Sequence, residues 1–459
     1  MKTFLCSAAA FFTLTAAPGV LAQNLTTTVA EDHDYILNLY KHFHENPELS
    51  LKEEKSAARM TKELKSLGFE VTERVGDAWV KQKVMEEVGE VLPGVGGYGL
   101  VAVMKNGEGP TVMLRADMDA LPLQEKTGVP YTSNVVSTDF TGKEAPVMHA
   151  CAHDSHMAIL VGTARQLVEH KDDWSGTLVL IGQPAEEIGY GALAMLEDGL
   201  METFPKPDYV LATHTSGWDP AGQITYTSGY ALANVDSVDI KIKGIGAHGS
   251  APHMGKDPIV IGAQIVNALQ TLVSREVNPL QAGVVTVGSF RSGYKHNIIP
   301  DEAELLLTVR SYDDDVRKTL LEGIKRIALA QGRSAGLSEE NLPEVIIKSD
   351  YTPSTYNDPE MTDRVMKAVS ASIGEDKVSS RPPSMGGEDF SRFHRHDEDI
   401  PTLIFWTGGA DPEAFAAAVE NKTPLPPANH SPLFAPIPGP SLKLGVQSMT
   451  AGAMELFKE

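Results

Sequence analysis

The chain has 459 residues, 42% of them hydrophobic and 22% charged, so it can bury a large core over two or three domains and is not mainly disordered. It carries 39 basic against 61 acidic residues, a formal net charge of -22, which disfavours a nucleic-acid binder, since that class needs a basic face. Two cysteines exclude a disulfide scaffold.

The first segment reads as an export signal over residues 1–22. Lys2 gives a positive start, Phe4 to Leu14 is mostly apolar, and Pro18-Gly19 leads to a cut after Ala22 and ahead of Gln23. The apolar run falls short of the roughly 20 residues a membrane span needs. The expectation is a periplasmic or secreted protein without a membrane anchor. Export removes Cys6 and leaves Cys151 as the one mature cysteine. A lone thiol in an oxidising compartment is a liability unless something, such as a metal, occupies it.

Residues 31 to 68 read as two helices broken by a turn at His42, His44, Glu45 and Pro47-Glu48, with apolar positions 57, 60, 64 and 67 at helical spacing. The segment from Asp77 to Gly96 looks additional, because Val71 to Gly76 would run naturally into Gly97 to Val103. It reads as a surface excursion with a short helix, either solvated or serving as a lid or interface. Short apolar strands follow at 101–104, 111–115, 177–181 and 209–212, with a helix at 156–168 between them. Alternating strands and helices predict an α/β fold with a partly parallel sheet.

Near Ser228 the pattern changes. Residues 237–243 alternate apolar and polar, as a strand with one wet face does. A helix at 258–273, strands at 282–287 and 303–309 and a helix at 314–330 complete a smaller α/β sandwich inserted in the larger domain. The expected division is 23–230 and 345–459 for the larger domain and 231–344 for the insert. A helix at 358–372, a strand at 402–406 and a last helix from Ser441 return to the larger domain.

The residues that carry chemistry gather at strand ends. His149-Ala-Cys151-Ala-His153-Asp154-Ser-His156 offers a thiolate and two or three imidazoles that can converge on zinc. Glu186 and Glu187 follow the 177–181 strand. Adjacent carboxylates repel, a dication would offset that, and one can bind metal while the other faces a substrate. His214 ends the 209–212 strand and is a further candidate ligand. Asp117 and Asp119 end the 111–115 strand and could be ligands or could fix a ligand histidine's tautomer. His430 by itself reads no differently from a surface-loop histidine.

Taken together, these segments resemble the aminoacylase and zinc carboxypeptidase superfamily, in the branch of hippurate hydrolases, auxin-conjugate amidohydrolases and other N-acyl-amino-acid amidohydrolases. The motifs are Arg115-Ala-Asp-Met-Asp-Ala-Leu-Pro, Met148-His-Ala-Cys-Ala-His-Asp, Gln183-Pro-Ala-Glu-Glu, Gly246-Ala-His-Gly with Pro252-His, Asn297-Ile-Ile-Pro and Gly387-Glu-Asp-Phe, spread over residues 31 to 459. The resemblance implies a larger dinuclear-metal hydrolase domain with a smaller inserted α/β sandwich dimerisation domain. It implies two divalent ions, zinc with manganese or cobalt as alternatives, on Cys151, His153, Glu187, His214 and His430. Glu186 matches the general base, and His248 a histidine that stabilises the oxyanion, commonly across a dimer interface. Asn297 and Arg310 match residues that handle the substrate carboxylate.

The implied activity is hydrolysis of the amide bond of N-acyl or N-aminoacyl amino acids by an activated water, releasing a free amino acid. A dipeptidase or carboxypeptidase acting on short peptides shares that chemistry, and only pocket shape separates them. A Cys151 nucleophile would leave the paired glutamates without a task, and a noncatalytic periplasmic binding protein would need no metal. The sequence departs from the branch at Ala152, where relatives carry glycine, at Thr215-Ser-Gly-Trp218, and in the segment 77–96. None of these removes a ligand or the base.

Overall fold

The structure, a computed structural model, describes residues 18–458. Most of the export segment expected at 1–22 lies outside these residues. The first described helix, Pro18–Glu45, runs through the expected cut site.

An eight-stranded sheet organises the larger part. Its spatial order is Glu70–Val75, Gly99–Asn106, Gly176–Gln183, Thr111–Asp117, Tyr209–Pro220, Thr402–Ala410, Ile224–Tyr226 and Val378–Ser380. The four strands from 176–183 to 402–410 run parallel. Helices cover both faces of such strands, so they read as apolar runs rather than alternating ones. The 402–410 strand is buried throughout. On one face, helices Pro18–Glu45, His153–Glu169, Pro359–Ile373 and Pro438–Leu456 pack through Ile36, Leu160, Val365 and Val446. On the other, Met195, Phe390 and Phe393 close the core. The parallel strands point their carboxyl ends to one edge, the usual place for a crevice in an open α/β sheet.

A separate four-stranded antiparallel sheet has the order Gly283–Ser292, Glu302–Ser311, Asp236–Lys243, Glu344–Ile347. Helices Pro258–Thr271 and Asp314–Ser334 bury Ile261, Ile265, Leu320 and Ile324 against it. The 236–243 strand alternates buried and more exposed positions, as its sequence period requires. The chain enters at Val235 and leaves at Thr352, where the two backbones bond to each other at 2.8 and 3.0 Å.

Four readings change. His42 and His44 lie inside the first helix, which ends at Glu45. His44 is held there by Asp154 and Glu125, a tertiary tie that residue-by-residue reading does not contain. His214 sits within a strand that continues to Pro220 rather than at its end. The strand Glu344–Ile347 was not anticipated, because it lacks a period-2 pattern. The additional segment is also more than a surface excursion: in the helix Asp77–Val88, Val80 and Val84 are buried together with Ala185 and Ala194, beneath the turn that carries the paired glutamates.

Candidate metal centre and active site

The loop after Met148 turns sharply to deliver Cys151. Ala152 adopts φ 68°, and its carbonyl accepts from the amides of Ser155 and His156, which starts the helix His153–Glu169. Cys151 therefore stands two residues before the helix, with its thiol among the imidazoles of the site. Its Sγ lies 3.6 Å from His214 Nε2 and 3.3 Å from His430 Nε2.

Glu186 and Glu187 stand on a tight turn after the 176–183 strand. Ala185 there has φ 50°, in the left-handed region. Asp119 accepts the amide of Glu186 on Oδ1 at 3.1 Å and that of Glu187 on Oδ2 at 3.0 Å. The two carboxylates leave this fixed backbone close together, with ligand atoms within 4.8 Å of each other and of one on His153. Glu187 reaches His430 Nε2 at 3.5 Å and His153 Nε2 at 3.9 Å, and Glu186 lies 3.9 Å from His153 Nε2.

The other ring nitrogens of two histidines are committed. His153 Nδ1 donates to the Asp119 carbonyl at 2.8 Å, and His214 Nδ1 to the Thr215 carbonyl at 2.9 Å. Each Nε2 lone pair is then free to point into the cluster, the second-layer arrangement that metal-binding histidines use. Asn429 ties down the loop bearing His430: its Nδ2 donates to the carbonyls of Cys151 and Thr215, and its Oδ1 accepts from Gly217. Gly217 permits this approach, since a Cβ there would lie 2.6 Å from Ala428 Cα.

All five sequence-expected ligands come together. Cys151, His153 and His214 form one set of donors whose atoms lie within 4.8 Å of one another, and Cys151, Glu187 and His430 form a second. Cys151 belongs to both. The cluster also has the chemistry of a cation site. His153 Nε2 and Glu187 Oε1 are buried without a hydrogen-bond partner among the described residues. Burial, with the charges of Asp119 and Asp117 added, pushes Glu187 up to about 8 against the pull of His153. Burial and then the charges of Glu388, Glu187 and Asp389 push Glu186 up as well. Acids packed this way lack positive charge, and soft sulfur with imidazole and carboxylate suits zinc or a similar divalent ion.

Asp117 lies outside these two sets but forms another with His153 and His156, and Asp119 is in none among the described residues. Asp117 bonds His156 Nδ1 at 2.5 Å and Arg115 at 2.7 Å. The guanidinium and the imidazoles overcome its burial and hold it well below the usual carboxylate range. His156 Nε2 accepts the Thr215 amide at 2.7 Å, so both its nitrogens are used. His149 is buried with neither nitrogen bonded among the described residues, and burial lowers it to about 4. Arg115 also bonds Glu388 at 2.8 Å, Asp389 at 3.1 Å and Gln183 at 3.0 Å, so one buried cation serves three acids.

The residues expected to meet the substrate divide. Arg310, half-buried on the 302–311 strand, donates to the Met385 carbonyl at 2.7 Å and to Thr308, and has no carboxylate partner among the described residues. Through Met385 it sits against the segment that continues into Glu388. His248 and Asn297 are together and bond none of the donors among the described residues. The strand pair Ala247–His248 and Ile298–Ile299 joins them, and Gly249 donates to the Asn297 carbonyl at 2.9 Å. Among the described residues the His248 side chain bonds only Ser250, two residues along, and it lines an open groove of about 1100 Å³ with Tyr294, Ile298 and Arg291. Sequence reasoning did not single out Asn429 or the Arg115 to Glu388 and Asp389 tie. Their adjacency to His430 and their place in two quoted motifs were the available signals.

The chain is similar to known metal-dependent hydrolases. A family model described as peptidase family M20/M25/M40 matches residues 113–425. Thermostable carboxypeptidase 2 of Saccharolobus solfataricus is 40% identical over 391 residues, 84% of this chain and 89% of that protein. The hippurate hydrolase of Campylobacter jejuni is 37% identical over 353 residues, 76% of this chain and 82% of its own. A Bacillus subtilis crystal structure described as a dinuclear metal binding peptidase from the M20 family superposes with a TM-score of 0.70 at 27% identity, covering 93% of this chain and 98% of that one.

Proposed function

The chain belongs to peptidase family M20/M25/M40 and is a metal-dependent hydrolase, and from that premise we propose that it cleaves the amide bond of N-acyl or N-aminoacyl amino acids and releases the free amino acid. The observation that carries the reading is Cys151 shared between two donor sets, with Glu186 outside those two and grouped instead with His153 and Glu187 and with Glu388 and Asp389. We assign Cys151, His153, Glu187, His214 and His430 as ligands of two divalent ions, zinc first, with manganese or cobalt as alternatives. Bound there, the ions supply a water of lowered pKa and a Lewis acid for the carbonyl.

Glu186 is the one carboxylate of the pair free to move a proton. It takes the proton from the attacking water and returns it to the leaving nitrogen, a task for a carboxyl whose burial raises its basicity. Arg310, without an acidic partner, can pair with the substrate carboxylate, and Asn297 can add a hydrogen bond. His248 serves as a donor to the oxyanion. Because neither it nor Asn297 bonds a donor of its own chain among the described residues, the inserted unit, read from the sequence as 231–344, would carry both to the site of a second copy in a homodimer. The peptide-bond reading keeps standing as the alternative, supported by the carboxypeptidase relative. Export to the periplasm or medium remains part of the proposal, and the mass of the native protein tests it: a retained Met1 removes it.

Glu186→Gln tests the core of the reading. An amide accepts no proton, so turnover falls by at least about 100-fold, of the order general base catalysis contributes, while two metal ions still bind. Near-normal activity would refute the assigned roles. A panel of N-acetyl, N-benzoyl and N-aminoacyl amino acids on metal-loaded enzyme then separates the acylase from the peptidase reading. For the dimer, inactive Glu186→Gln and His248→Ala chains are mixed. Recovered activity supports sharing of His248 between copies, and none at any ratio removes it.

A further inference from the structure

Glu53 has no role in the chemistry described so far. It stands in the run Lys52-Glu53-Glu54, which as sequence looks solvated, yet Glu53 is fully buried. Its Oε1 accepts two backbone amides, Leu51 at 3.0 Å and Ala185 at 2.8 Å. Its Oε2 is buried without a partner among the described residues. Leu51 and Ala185 both have left-handed backbones, φ 66° and 50°. A carboxyl kept out of water against two strained turns is an expensive way to satisfy two amides.

The contact falls at a specific place. The amides of Ala185, Glu186 and Glu187 are three in succession, and two buried carboxylates hold all of them: Glu53 takes the first and Asp119 the next two. Asp119 also meets His153, both through its carbonyl and at 3.3 Å through Oδ1, so it serves the ligand side of the site as well. Glu53 touches the turn only at the residue before Glu186. From this division we propose that Glu53 is a positioning residue that holds Ala185 in its left-handed conformation and so fixes the direction in which Glu186 presents its carboxylate to the reacting water. A non-glycine residue returns readily from that region to ordinary backbone angles, and the Glu53 bond opposes the return. The inference rests on Glu186 as the base.

The test separates the base from the metals. In Glu53→Ala, kcat should fall about 10- to 100-fold, the loss expected when a reacting group is displaced by a fraction of an ångström to one ångström. KM should change little, and calorimetric titration of the metal-free protein with zinc should still show two sites of near wild-type affinity. Asp119→Asn should lose zinc affinity together with kcat. Glu53→Gln keeps an acceptor at Oε1 and should recover most of kcat. Glu53→Asp, one methylene shorter, should not. If Glu53→Ala fails to fold, the order of the Gln and Asp variants at equal zinc content decides instead. Wild-type kcat in Glu53→Ala, or in Glu53→Asp where that variant is the test, would overturn the proposal, as would a loss that merely follows lost zinc or lost near-UV circular dichroism. If Glu186→Gln is inactive and Glu53→Ala is normal, only the positioning role fails. An active Glu186→Gln instead removes the base reading beneath it.

Discussion

The two sheets carry their chemistry in opposite ways. Around the larger one, the donors stand on strained backbone and are backed by buried charge. Among the described residues, Ala152, Ala185 and His430 are three of six non-glycine residues with left-handed φ, and none of the six lies between 236 and 347. Arg115, Asp117, Glu388 and Asp389 are nearly inaccessible. In the inserted unit, Arg317 pairs with the buried Asp236, but the ion pairs Arg291–Glu304, Arg326–Glu276 and Arg333–Glu339 are open to solvent, and among the described residues the His248 side chain bonds only Ser250. Strain and buried charge persist only where surrounding structure fixes them. The larger sheet therefore holds its donor set within one chain, while in the insert the candidate oxyanion donor His248 has, among the described residues, only the neighbouring Ser250 bonded to its side chain.

Removing a charge from each region should give the largest contrast. Arg115→Met leaves Asp117, Glu388 and Asp389 without their shared cation. Breaking a buried pair in this way costs about 3–5 kcal/mol. Urea unfolding of the metal-free protein at neutral pH measures it. Arg333→Met in the insert removes an exposed partner of Glu339, and its unfolding midpoint should match wild type. Similar midpoints for the two variants would mean that the buried network is not what holds the site.

A second buried set lies one layer behind the donors. His44 bonds Asp154 at 2.6 Å and Glu125 at 3.0 Å, and all three side chains are inaccessible. Burial alone would lower the imidazole, but the hydrogen bonds and charges of the two acids override it and raise the pKa from 6.5 to about 9. A raised folded pKa gives stability that is complete below 6.5 and is lost as pH climbs through 9. That gap is worth roughly 3 kcal/mol. Unfolding free energies from pH 6 to 9.5 should decline more steeply for wild type than for His44→Gln, which cannot titrate. Parallel curves would show that His44 is uncharged in the fold.

Much of this was legible in the sequence. Alternation at 237–243 and the apolar runs at 111–115 and 177–181 mark strands because side-chain period and burial leave a local imprint. Cys151 and His153 stand out by composition and spacing. Glu53 does not, since nothing in Lys52-Glu53-Glu54 tells a buried acid from two solvated ones, and only the arrival of Ala185 makes the difference. The place of His44 in a helix was hidden for the same reason, its partners being 81 and 110 residues away. The exposed position of His248 is a matter of how two sheets are set, which no local pattern encodes.

The smallest expected effect tests the strain itself. Ala152 is buried at φ 68°, where relatives by resemblance carry glycine, and Ala328 is buried inside the helix Asp314–Ser334 of the insert. Alanine to glycine at either site removes a buried methyl, about 0.8 kcal/mol, and adds unfolded-state freedom, roughly 0.5–1 kcal/mol. At Ala328 nothing offsets these losses, so the change should cost between about 1 and 2 kcal/mol. At Ala152 glycine also relieves the left-handed penalty of a Cβ, about 1–2 kcal/mol, and the sum should lie near zero. Paired denaturation curves of the two variants read that difference directly. Equal losses would show that Ala152 bears no strain, and the backbone half of the contrast between the two regions would then fall, leaving the buried charges to carry it.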